Sequence, residues 1–112
     1  MFRAMPLAFY DRDGVRISYE HWLALSNSGD YTAAAVYARG GFEIITAWVG
    51  IGKPMHTVVM SSAEGVVWLH DWRNQKDASA CHEALCRAME NHVDLAIATA
   101  AICLGHSSIL AN

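Results

Sequence analysis

The chain has 112 residues, enough for one domain with a core and too few for two. It is 54% hydrophobic and 17% charged, with a net charge of −3. An average soluble domain is about 25% charged, so a lone copy has few groups with which to cover its apolar surface, and a homodimer is expected.

The eight lysines and arginines are scattered along the chain, which argues against a surface that tracks a phosphate backbone; no nucleic-acid partner is expected. Cys81, Cys86 and Cys103 are odd in number, and the first residues lack the charged, apolar and cleavage regions of a signal peptide. A reduced, cytoplasmic protein is the expectation. Met1 to Ala8 is short and interrupted by Pro6, and reads as a terminal arm.

Asp13-Gly14 predicts a turn between short extended pieces within Phe9 to Ile17, hence a small ribbon. Ser18 then suits a helix N-cap, with Glu20 in the first turn and Ile17 and Trp22 at the spacing of a hydrophobic staple. Trp22 and Leu25 would face a sheet, and Ser26-Asn27-Ser28-Gly29 ends the helix.

Tyr31 to Arg39 and Phe42 to Gly50 flank Gly40-Gly41, the signature of a two-residue hairpin turn. That turn sets Arg39 opposite Phe42, and puts Tyr37, Ala35 and Ala33 opposite Ile44, Thr46 and Trp48. Val36 and Ala34 meet Ile45 and Ala47 on the other face, which is equally apolar, so both sides of the strand from Ile44 to Gly50 call for a cover of helices or of a second subunit. Met55 to Ser61 and Val66 to Trp72 form a second hairpin around Ala63-Glu64-Gly65. Trp68, His70 and Trp72 alternate onto one face, and Val67, Leu69 and Asp71 onto the other.

From Asp77, read as an N-cap, Ala78, Cys81, His82, Leu85, Cys86, Met89 and Val93 recur at helical intervals, with Glu83 and Arg87 as an i,i+4 pair. No charged side chain follows Asp94. Leu95 to Leu104 is apolar on every side except at Thr99, and Gly105 supplies a stop, so this segment has to be surrounded. A membrane span needs about 20 apolar residues and the run is too short, so no membrane partner is expected. Burial within one chain or against the same helix of a second copy remain, and the small residues Ala96, Ala98, Ala100 and Ala101 favour the second, with a sheet edge as a further contact of the dimer. Asn91-His92 can divide the region into two helices.

The predicted architecture is α+β: a four-stranded antiparallel meander with an N-terminal ribbon, and one short and one long helix packed on it. A single domain spans residues 1–112, with its core at 9–90 and an apolar helical extension at 93–112.

Tyr10-Asp11-Arg12-Asp13-Gly14, Ile17-Ser18 with Trp22, Thr46-Ala47-Trp48-Val49-Gly50, Thr57 and Ala80-Cys81-His82-Glu83 together resemble a family of small bacterial proteins met in phage and mobile-cassette genomes, to which no biochemical activity is assigned. The likeness covers residues 9 to about 90. The chain departs from the family pattern at Ile45, Val49, Met55-His56 and Cys81. Met55-His56 stands where the family has Phe-Glu, so an acid shared by the family is missing. The resemblance implies a compact α+β fold and a place on mobile genetic elements.

His82, Cys86 and Glu90 can share one helical stripe, a set of imidazole, thiolate and carboxylate suited to zinc or copper. Cys81 or Cys86 beside His82, His56 or His70, with Asp71 to orient the base, suggests a nucleophile. A small metal- or thiol-dependent enzyme is thus the alternative to a non-enzymatic binding module. His56, Thr57, His70, Asp71 and Trp72, with His82, suggest an aromatic-walled pocket for a small-molecule or protein ligand, on a register that sets Thr57 opposite Trp72 and His70 opposite Val59. Against all three readings stands the ordinary one, in which these groups fill and hydrogen-bond a core. Gly50-Ile51-Gly52-Lys53 lacks the spacing and following helix of a phosphate cradle, and no cofactor is expected.

Overall fold

A computed structural model describes residues 7–103. Two short strands, β1 (Phe9–Tyr10) and β2 (Arg16–Ile17), form the ribbon, followed by helices α1 (Tyr19–Ser26) and α2 (Gly29–Thr32). The meander is β3 (Ala35–Arg39), β4 (Phe42–Trp48), β5 (Met55–Ser61) and β6 (Gly65–Trp72), paired in sequence order, and helices α3 (Gln75–Glu90) and α4 (Leu95–Cys103) complete the chain. The fold is α+β, as expected.

Local chemistry accounts for most element boundaries. Ser18 accepts a hydrogen bond from His21 N and caps α1. Gly40 and Gly41 both have positive φ, and Arg39 pairs with Phe42 across them, which fixes the β3–β4 register without slack. Ser28 caps α2 in the same manner, so Tyr31 and Thr32 lie in a helical turn and the strand begins at Ala35. The expected pairing of Ala33 with Trp48 is therefore absent.

The second hairpin also departs from expectation. Ser61 pairs with Gly65 and Met60 with Val66, but a bulge shifts the ladder so that Val59 meets Trp68, Thr57 meets His70 and Met55 meets Trp72. Val67 is the extra residue of that bulge. It lines a groove with Trp68 and Leu95 on the helix side, while Val66, Leu69 and Asp71 hold the opposite side.

Asn74, and not Asp77, caps α3, accepting from Asp77 N at 2.8 Å. Asn91 ends this helix and His92 takes φ 59°, so the apolar segment turns back as a separate α4. Asp94 Oδ1 accepts from Ala96 N and Ile97 N at the start of α4. The expected stop at Gly105 lies outside the described residues. No described helix is long and apolar enough to cross a membrane.

Helix α3 lies across the sheet and packs on all four of its strands. Ile44, Val59 and Leu85 are fully buried between them, joined by Ala88 and by Ala98 and Ile102 of α4. Each large side chain buried this way contributes about 1.5–3 kcal/mol. A second cluster, Trp48, Met55 and Ala78, receives Trp22, Leu25 and Tyr31 from α1 and α2. The ribbon fastens here. Tyr10 N donates to Gly50 O, Trp48 Nε1 donates to Tyr10 O, and Arg12 sits 4.3 Å over the Tyr31 ring. Both clusters lie on the same side of the sheet, so the described helices cover that side alone.

Candidate functional site

Strands carry alternate residues to opposite faces, and this divides the predicted ligand residues into two groups. Thr57, His70 and Trp72 face the helices with His82. His56 and Asp71, which are cross-strand partners, face away from them. No single pocket gathers all six.

The helix side holds a hydrogen-bonded chain. Trp72 Nε1 donates to Thr57 Oγ1 at 3.0 Å, the Thr57 and Thr46 hydroxyls are 2.8 Å apart, and Thr46 Oγ1 is 2.8 Å from His82 Nδ1. An indole N–H can only donate, so it sets the direction. Thr57 accepts from Trp72 and donates to Thr46, which in turn donates to His82 Nδ1. This order uses every proton and requires neutral His82 with its hydrogen on Nε2. The reverse order leaves the Thr57 hydroxyl proton outside the chain of bonds. Burial holds the His82 pKa below the usual 6.5, against an opposing pull from the Glu83 carboxylate. His70, cross-strand from Thr57, lies against Trp68 and Trp72, its ring centroid 5.6 Å from the first and 4.4 Å from the second.

Thr46 was not among the expected site residues, although it supplies the central link. Its inward position between Ile44 and Trp48 was legible from strand alternation. A threonine flanked inward by Ile and Trp has to find a partner, and that was the available signal.

On the outer side Lys53 Nζ lies 2.9 Å from Asp71 Oδ1. His56 stands beside this pair, its pKa lowered by burial and by Lys53 and raised by Asp71.

The proposed metal set does not assemble: His82 Nδ1 is bonded to Thr46, Cys86 packs on the core and Glu90 is exposed. Among the described residues no three histidine, cysteine or acidic side chains are grouped to hold a metal. Cys81 is buried in the core. Burial pushes the Cys86 thiol up, and Glu90 and Glu83 add to the shift. Such a thiol stays protonated at neutral pH and is a poor nucleophile. Iodoacetamide at neutral pH, with modified sites located by peptide mass spectrometry, is expected to label Cys81 and Cys86 only slowly unless denaturant is added. Rapid labelling of native Cys86 would restore the thiol-enzyme reading.

Two concavities on the surface are shallow. One of about 410 Å³ lies around the Gly40-Gly41 turn, and one of about 390 Å³ runs between Trp68 and the start of α4, with Glu64 and Asp94 at its rim. Neither contains the histidine chain. Comparison with family models, curated proteins and solved structures returns no match, so the reading rests on geometry. That geometry explains the motifs singled out in the sequence. Asp11 Oδ1 accepts from Asp13 N and Val15 N, Arg12 O accepts from Gln75 N, and Arg12 Nη2 donates to Asp30 O and Tyr31 O. Tyr10 to Gly14 acts as a clasp joining the ribbon, α2 and the start of α3.

Proposed function

We propose that the protein is a small non-enzymatic interaction module of the cytoplasm that works as a homo-oligomer. The observation that carries this reading is the uncovered side of the sheet, where Val36, Val66 and Leu69 are 59%, 60% and 52% exposed. Large contiguous apolar surfaces on soluble domains mark interaction sites. The polar groups on the helix side are, by contrast, occupied with one another, as in a core that has satisfied its hydrogen bonds.

Sequence reasoning placed the interface on the last helix. Helix α4 buries Ala98, Thr99, Ala101 and Ile102 within its own chain, which leaves a narrower apolar stripe around Ile97 for other contacts. The sheet face therefore has the stronger claim. Sedimentation velocity on the full chain at micromolar concentrations is expected to give twice the monomer mass of 12.3 kDa. A monomer at every concentration tested would overturn the reading.

A further inference from the structure

The strand registers lay out the open side of the sheet as three cross-strand rows. The middle row is Val36, Ile45, Val58 and Leu69, one residue from each strand and none of them charged. On one side of it runs Ala38, Glu43, Met60 and Val66; on the other, Ala47, His56 and Asp71, with Lys53 paired to Asp71. Thus one outer row holds an acid as its only ionisable group, and the other holds the His56 imidazole and the Lys53–Asp71 ion pair, with no net charge.

We infer that this face binds a second copy of the same chain, sheet against sheet, about a two-fold axis lying along the middle row. The inference rests on the homo-oligomer reading above and adds the surface and its orientation. Rotation about that axis places the middle row on its own counterpart, so β-branched and leucine side chains meet with no charge among them. It also exchanges the outer rows, so that Glu43 of each copy lies over the end of the partner sheet that carries Ala47, His56 and the Lys53–Asp71 pair, away from the partner's Glu43. A two-fold axis along the strands would instead bring the two Glu43 rows together at the same end, and like charges across an interface are costly. Packed sheets keep their strands within about 30° of one another, which preserves this row-to-row correspondence. With some eleven side chains in the three rows against about 20–30 per partner in a standard interface, the contact is at the small end and its dissociation is measurable.

The test uses full-length variants, each checked by circular dichroism for native secondary structure, with dimer dissociation followed by analytical ultracentrifugation. Leu69→Lys, at an exposed position, is expected to weaken the dimer at least about tenfold, while Ile97→Lys on α4 leaves it unchanged. His56→Glu is expected to weaken it several-fold by setting a second carboxylate near the partner's Glu43, and adding Glu43→Lys to recover most of the loss, since opposite charges then face each other. Loss of the dimer in Ile97→Lys with retention in Leu69→Lys would move the interface to α4 and overturn the inference, leaving the homo-oligomer reading intact. Failure of the double variant to recover would overturn the orientation. A monomeric wild type would instead overturn the homo-oligomer reading itself.

Discussion

Gly50→Ala is expected to cost about 3 kcal/mol or more of stability, read as a fall in the urea midpoint with an unchanged slope. Gly50 has φ +74°, and a Cβ built there would stand 2.6 Å from both Trp22 Nε1 and Trp48 Cε2. Both indoles are held in place by hydrogen bonds. Trp48 is 9% exposed and donates through Nε1 to Tyr10 O, while Trp22 donates to Val49 O. A left-handed backbone accounts for about 1–2 kcal/mol for a residue with a Cβ, and overpacking for about 1–3 more. Gly52→Ala is the internal control, because its φ of +72° is nearly the same but the space beside it is open. It should show the backbone cost alone. Equal losses in the two variants would mean that the Trp22–Gly50–Trp48 packing is not what the backbone requires.

The same contrast between local and distant causes explains what the sequence disclosed. The Gly40-Gly41 turn and the Ser18 cap were legible because their chemistry is contained in a few neighbouring residues. Tyr31 to Ala34 was misread as strand because its β-compatible side chains outweighed Ser28, whose cap starts a helical turn there. The register of β6 is off by two because the hairpin closes early, with Ser61 on Gly65, and the one-residue bulge at Val67 makes up only one of the three positions lost. Val36, Ile45, Val58 and Leu69 are as apolar as the inward Ile44 and Val59. The sequence shows that both faces of the sheet are apolar, but it does not say that the described helices all settle on one of them. The sequence groups His56 and Asp71 with Thr57 and Trp72 by their heights on neighbouring strands, and strand alternation separates them.

Thr46→Val should cost about 1–3 kcal/mol even though the side chains are nearly isosteric, because it strands two partners at once. His82 Nδ1 loses its donor and the Thr57 hydroxyl loses its acceptor. Adding Thr57→Val should cost much less than the sum of the single changes, because the Thr57 proton left stranded by the first disappears with the second. Strict additivity would mean that the chain of bonds does not act as a unit.

The chain also has a sign in pH. The folded pKa of His82 lies below 6.5, so the unfolded state binds a proton more readily, and the stability from neutral His82 is complete above that value and lost as pH falls through the folded pKa. Protonation on Nδ1 would turn an acceptor into a donor, reverse the Thr46 hydroxyl and leave the Thr57 proton stranded, because Trp72 cannot accept. Urea titrations are expected to show wild type weakening from about pH 7.5 to about pH 5, with a shallower loss in His82→Gln. His56 contributes in the same direction from the outer face, so His56→Asn should remove a separate, smaller part. Identical pH profiles for wild type and His82→Gln would sink the proposed role of the imidazole as the neutral end of the Trp72–Thr57–Thr46 chain.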